Sequence, residues 1–246
     1  MTPPHTDRPW PAPTAPWLVA MRWHDLLFAH WPVDAGLIRS LIPPALTVDT
    51  FDGTAWLGVV PFWMDGIRRR HWPALPGLSA FPELNVRTYV TTPDGRAGVW
   101  FFSLDAAHRI AVRAARRCYH LPYFDARMNV RETAGEIDYS SHRTHRGAPP
   151  AAFEARYRPT GPVFHAASGS FEFWLTGRYC LYAADPRGRV YRGEINHAPW
   201  PLQPAESDIR QNTMAAQTRI RLPETAPVLH FSKRIDTVAW GLELLE

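Results

Sequence analysis

Between Glu83 and Val90 polar and apolar side chains alternate without a break. Glu83, Asn85, Arg87 and Tyr89 fall on one side of an extended chain, and Leu84, Val86, Thr88 and Val90 on the other. A second run, Gly98 to Asp105, follows the triplet Pro93-Asp94-Gly95. Pro and Asp suit the centre of a type I turn, and Gly suits the left-handed residue that completes a three-residue hairpin loop. That loop sets Thr92 opposite Arg96, hence Asn85 opposite Ser103 and Glu83 opposite Asp105. Leu84, Val86 and Thr88 then face Leu104, Phe102 and Trp100. A two-residue loop would mix the two faces, so the pattern predicts the longer one.

The same reading extends along the chain. Met21 to Trp31 is a strand stopped by Pro32, and Asp34 caps a short helix to about Ile42. Leu46 to Phe51 and Thr54 to Met64 form a second hairpin across Asp52-Gly53, and residues 66–82 are irregular. Asp105 opens an Ala-rich helix to about Tyr119, whose Arg stripe suits the helix dipole. Further strands are Tyr123 to Arg131, Ile137 to Arg143, Phe153 to Arg158, Arg178 to Ala183, Arg189 to Asn196 and Val228 to Leu244. Ser170 to Thr176 is a short helix, and residues 203–218 are helical in part. Roughly ten strands with two or three helices predict a mainly β (α+β) domain, barrel-like or a sandwich, over residues 18–246. Residues 1–17, rich in Pro and polar groups, read as a disordered tail.

Composition narrows the function. Hydrophobic content of 46% and charged content of 20% are those of a globular protein. The net charge of +4 rests on arginine, with Lys233 the lone lysine, and acids are mixed among the arginines. A small molecule is the expected partner, therefore, and a nucleic acid is not. Ala55 to Met64, the longest nearly apolar run, is too short to cross a bilayer, so no membrane partner is expected either. Cys118 and Cys180 offer no disulfide framework, which suits the cytoplasm, and the oligomeric state stays open. Glycine-rich nucleotide loops are absent, so no cofactor is expected. His142-x-x-His145 sits in an Arg-rich turn and is read as surface, with no metal. His24 and His30 share a strand face with Leu26 and Phe28 and read as core or rim. His197, just before Pro199-Trp200-Pro201, is kept as a ligand contact.

The polar row has two accounts. It is the solvated side of an amphipathic hairpin, or it lines a cavity. In a cavity, Arg87 would hold an anionic or carbonyl oxygen and Asn85 would orient the ligand. Ser103 and Asp105 would complete the contacts, and Asp105 facing Glu83 would raise the Glu83 pKa towards acid–base use.

Several segments carry a family resemblance. They are Trp23-His24-Asp25, Leu41-Ile42-Pro43-Pro44-Ala45-Leu46, Asp49-x-Phe51-x-Gly53-x-Ala55-Trp56-Leu57, the two runs of the first hairpin, and Arg178-Tyr179-x-Leu181-Tyr182. Together they resemble the YqjF-like family of bacterial proteins, grouped with the acetoacetate decarboxylase-like superfamily. The resemblance runs from about Trp23 to the last strand. It implies a single cone-shaped antiparallel β-barrel with a central ligand cavity. Decarboxylases of that superfamily use a lysine that forms a Schiff base with the keto acid. The matching place here reads Leu121-Pro122-Tyr123-Phe124, so Tyr123 stands where the nucleophile would be, and a phenol forms no imine. The expectation is a barrel that binds a carboxylate- or carbonyl-bearing molecule and runs a lysine-independent acid–base step through Glu83 and Tyr123. Dehydration, isomerisation and hydrolysis are the candidate steps. A non-catalytic binder with the same cavity fits equally. A third reading makes the Glu83–Arg87 row a buried ion-pair network that fixes strand register, in a structural or interaction protein with no open cavity whose function lies at an interface made by the many Trp.

Overall fold

Runs of Val, Ile, Tyr, Phe and Trp bounded by Gly, Pro and Asp become strands over most of the chain, as their pleated-surface preference requires. The computed structural model describes residues 7–245. In chain order its elements are β1 (Val19–Val33), α1 (Ala35–Arg39), β2 (Thr47–Val48), β3 (Ala55–Arg69), β4 (Phe81–Thr91) and β5 (Ala97–Ala106). Then come α2 (Arg109–Tyr119), β6 (Tyr123–Thr133), β7 (Glu136–Arg143), β8 (Ala152–Pro159) and α3 (Phe171–Thr176). The chain ends with β9 (Cys180–Ala184), β10 (Val190–His197), β11 (Gln203–Asn212), a 3-10 turn at Ala216–Thr218 and β12 (Val228–Leu244).

The strands pair in the order β10-β9-β5-β6-β7-β8-β11-β12-β1-β3-β4-β2, and the contacts β10–β12 and β5–β4 return the sheet on itself as a ring. The segment β12-β1-β3-β4-β5 is thereby covered on both faces. On one face Leu84, Val86 and Val90 pack with Ile137, Tyr139 and Phe153. On the other, Phe28, Val60 and Phe62 pack with Trp200 and Tyr123, and Tyr89 packs under α3.

Several expectations change. The ring is not wholly antiparallel, because β5 runs parallel to both β6 and β9. Asp52-Gly53 does turn, with φ of 47° and 76°. The expected hairpin across it nevertheless closes only at the Phe51–Thr54 bridge, since β2 pairs with β4 instead. Residues 203–212 are strand β11 rather than helix, with exposed Glu206, Asp208 and Arg210 alternating with half-buried neighbours. Helix α2 starts at Arg109, capped by the His108 ring, because Asp105 and Ala106 remain in β5. His24 leaves the Leu26–Phe28 face. Asp25 adopts a φ of 51°, which turns His24 out to stack on Trp63 at 4.2 Å and to bond Asp65.

The expected disordered tail is also ordered over residues 7–17, while residues 1–6 lie outside the described residues. Arg8 is buried in an ion pair with Glu194 and lies over the Tyr179 ring at 5.3 Å. Trp10 Nε1 donates to Glu194 at 3.0 Å, and Trp240 Nε1 donates to the Ala15 carbonyl at 2.6 Å. Deleting residues 1–17 is expected to lower stability by about 2–4 kcal/mol, because Glu194 loses a buried partner. Urea unfolding of the shortened chain checks this; an unchanged midpoint would show that the segment contributes nothing.

Candidate functional site

The first hairpin keeps its predicted register near the turn. Gly95 has a φ of 76°, and Thr91 pairs with Ala97 and Thr88 with Trp100, as a three-residue loop requires. Beyond Arg87–Phe101 the pairing slips by one: Val86 meets Ser103, Asn85 meets Leu104 and Glu83 meets Ala106. Phe102 is thus the extra residue of a β-bulge, and its carbonyl accepts from Gln217 Nε2 at 2.6 Å. The bulge carries Ser103 and Asp105 to the opposite face from Glu83 and Asn85, against expectation. There the Asp105 carboxylate takes two bonds from Arg143, at 2.6 and 2.9 Å. Ser103 is fully buried on that same face.

The other four members of the row stay together, and burial separates the two accounts of them. Glu83 is 3% exposed, Asn85 5% and Tyr89 0%, while Arg87 is half-buried, so most of this face is shielded from water. Across the strands the row continues through Phe62, Val60 and Gly58 of β3, and through Phe28 and His30 of β1. Gly58 lies between Arg87 and His30. A Cβ there would stand 2.8 Å from His30 Nε2, so only glycine lets those two side chains close over it.

The row has two chemically distinct ends. At one, Tyr123 Oη donates to Glu83 Oε2 at 2.8 Å. From the far face, Tyr139 Oη donates to the Glu83 carbonyl at 2.7 Å and holds the backbone. Burial pushes the Glu83 carboxyl up to about 8, the Asp105 charge adds to this, and the Tyr123 hydrogen bond opposes it. Burial also holds the Tyr123 phenol well above its usual range, helped by the Glu83 charge. At neutral pH this end holds two protonated groups, a carboxylic acid and a phenol.

At the other end Arg87 lies over the rings of Phe28 and Tyr89, at 5.4 and 5.7 Å, and Nη2 donates to Tyr89 Oη at 3.4 Å. Among the described residues no carboxylate pairs with Arg87, and its Nε has no partner. His30 Nε2 lies 2.6 Å from Tyr89 Oη. Burial and the Arg87 charge keep the His30 pKa well below the ordinary value, so the ring is neutral. Tyr89 Oη, accepting from Arg87, donates to Nε2, which leaves the proton on Nδ1, an atom with no partner. His230 also has an unpartnered Nδ1, and burial lowers its pKa. Between the ends, Asn85 Oδ1 is unpartnered.

His197 is not in the row. Its nitrogens lie 2.8 Å from the Ala198 carbonyl and 3.2 Å from that of Arg178, and its ring stacks on Tyr179 at 4.7 Å. It backs Trp200, whose ring meets Phe28 at 4.9 Å. His30, Tyr89, His230 and Trp200 are the members that sequence reasoning left out as site residues. The signal for His30 was its even spacing with Phe28. His230 and Trp200 come from distant strands and gave none.

Two clefts of about 820 and 880 Å³ open where residues 8–17 cross the ring, and Trp17 and Asn196 line both. Neither is lined by Glu83, Asn85, Arg87 or Tyr123. Pro199 and Pro201 line the second cleft, and Trp200 between them turns inward onto Trp23 and Phe28. Trp200 therefore stands between that cleft and the polar row. Lys233 pairs with other groups than these. It is half-exposed and pairs with Asp25 and Glu132, at 2.8 and 3.0 Å. Burial pulls its pKa down, but these two acids outweigh that and hold it above the usual value. Among the described residues no cluster of three metal-ligating side chains occurs, and no helix is long and apolar enough to cross a membrane.

Known structures share this architecture. The chain is similar to the enduracididine biosynthesis enzyme MppR complexed with pyruvate, at a TM-score of 0.63 and 12% identity over 96% of this chain and 93% of that one. It is similar in the same way to acetoacetate decarboxylase from Legionella pneumophila, at a TM-score of 0.63 and 10% identity over 98% and 94% of the two chains. The fold is thus acetoacetate decarboxylase-like, at identities that speak for fold alone. In sequence the chain is 46% identical to the uncharacterized protein YqjF of Bacillus subtilis (strain 168) over 230 residues, 94% of this chain and 93% of YqjF. Residues 20–236 match the model of DUF2071, described as an uncharacterized conserved protein, and the chain belongs to that family.

Proposed function

We propose that the interior of the ring is a cone-shaped binding site for a carboxylate- or carbonyl-bearing small molecule, and that Glu83 and Tyr123 run an acid–base step on it without a lysine. One observation carries this reading: a half-buried arginine with no carboxylate partner among the described residues, on the same face as a buried Glu83 bonded to Tyr123. Arg87 is half-buried, and its unpartnered Nε is a ready donor to an anion. Arg87 Nε and His30 Nδ1 are two donors for one. Glu83 would give its proton to an oxygen developing negative charge, and the Tyr123 hydrogen bond would then stabilise the carboxylate left behind. Dehydration, isomerisation and hydrolysis share that step. The solved relative MppR, which binds pyruvate, lends support at the level of fold. The structural ion-pair reading fares worse, since Glu83 bonds Tyr123 and Arg87 bonds Tyr89 rather than each other.

Arg87→Ala is expected to weaken binding of carboxylates by roughly 30–100-fold, the worth of a charge-assisted hydrogen bond. Titration calorimetry reads this directly. Glu83→Gln should spare binding and remove turnover, and the parent rate should fall as pH rises through about 8, where Glu83 loses its proton. Unchanged binding in both variants would place the site elsewhere. Binding lost only in Arg87→Ala, with no turnover found in the parent, would make the protein a binder.

A further inference from the structure

One end of the ring carries a surface that the interior row does not use. The loop between β3 and β4 spans residues 70–80, and α2 follows β5, the partner of β4. The pairs Met64–Phe81 and Glu83–Ala106 show that the loop and the helix leave the sheet at the same end. Two contacts join them. The Phe81 ring stacks on His108, the cap of α2, at 5.4 Å. At the other end of the helix burial and Cys118 raise the Tyr119 pKa, and the charge of a nearby Arg69 opposes them.

Charge at this end has one sign. Residues 66–82 and 106–124 hold seven arginines and no aspartate or glutamate, although acids are mixed among the arginines elsewhere. Of the seven, only Arg113 has a carboxylate partner among the described residues, Asp125 at 3.7 Å. The four arginines of α2 are exposed on its outward side, and Ile110 among them is 64% exposed, while Val112 faces inward. On the loop Trp72 is 67% exposed, and Leu75 and Leu78 are exposed too. Gly77 between the leucines has a φ of 74°, and a side chain there would meet open space. Apolar side chains scattered singly over a surface are ordinary, but three on one short loop beside seven cations mark a contact.

An anionic bilayer fits both features. Indole and leucine enter the headgroup region, and guanidinium groups meet lipid phosphates. A second copy of the chain fits badly, because an isologous contact would press arginines on arginines. Nucleic acid would use the cations and leave the leucines in water. We infer that residues 72–78 and the outward side of α2 dock the protein on an anionic membrane surface. Peripheral docking needs no spanning segment, so the shortness of the apolar run at residues 55–64 does not bear on it.

Sedimentation of the full chain with vesicles tests this, using phosphatidylcholine alone or with an equal part of phosphatidylglycerol. The mixed vesicles should bind at least about tenfold more tightly, and added salt should weaken that binding. Arg69→Gln/Arg109→Gln/Arg117→Gln should weaken it by roughly 30–100-fold, and Trp72→Ser/Leu75→Ser by roughly tenfold. All five side chains are exposed, so melting temperatures should stay at the parent value. Equal binding to both vesicles, binding to neither, or binding that neither variant weakens would overturn the inference. So would a single-stranded RNA that binds more tightly than the mixed vesicles and ignores Trp72→Ser/Leu75→Ser, or a dimer in solution that this variant dissolves.

Discussion

Glu83→Gln is expected to be more stable than the parent protein at pH 8 and above, with the gap opening progressively from about pH 4.5. The Glu83 carboxyl has a folded-state pKa of about 8, against an ordinary value of 4.5. Between those values the folded chain still holds a proton that the unfolded chain has released. Stability therefore falls as pH rises through this window, by up to about 1.4 kcal/mol per pH unit and on the order of 5 kcal/mol in total. Below the window both states are protonated and the term vanishes; above it both are ionised and the penalty is constant. Glutamine keeps an acceptor for Tyr123 and has no charge to desolvate. Calorimetric melting of both proteins from pH 4 to 9.5 checks it. The parent should lose stability across the range relative to the variant, and parallel profiles would show that Glu83 is not held protonated by the fold.

Arg143→Met is the second large effect, a loss of about 3–5 kcal/mol at neutral pH. Arg143 is 1% exposed and Asp105 0%, and their bidentate pair is closed on its other side by Gln217. Removing the guanidinium leaves a carboxylate buried with no counter-charge. The same Gln217 also holds the bulged Phe102 carbonyl, so the network fixes which face Asp105 takes. The double variant Arg143→Met/Asp105→Leu should recover much of the loss, because the stranded charge goes with its partner. Urea unfolding of both single variants and the double one measures the coupling. Additive costs below about 1 kcal/mol each would mean that the pair is not desolvated in solution.

Much of the candidate site is legible in the sequence. Alternation over Glu83–Tyr89 put four polar groups on one face, and Pro93-Asp94-Gly95 set the pairing next to the turn, because both depend on neighbours within a few residues. Tyr123 was placed beside the row through family resemblance, and its hydroxyl does meet Glu83. The bulge was illegible. Phe101 and Phe102 are both apolar, so the slip leaves the pattern unbroken, and the partner of the bulged carbonyl lies 115 residues away. Strand β11 was illegible for a related reason. Its outward Glu206, Asp208 and Arg210 are consistent with a polar helix until β8 is seen alongside it.

Local order thus came from the chain itself: which residues alternate, where it turns, and that one lysine, Lys233, is all it has for amine chemistry. Whether the polar side met water or protein was set by strands and loops remote in sequence, which close over it and bring His30, His230 and Trp200 to its rim. Alternation specifies a side, whereas burial of that side is a property of everything packed against it. The raised Glu83 pKa follows from that burial.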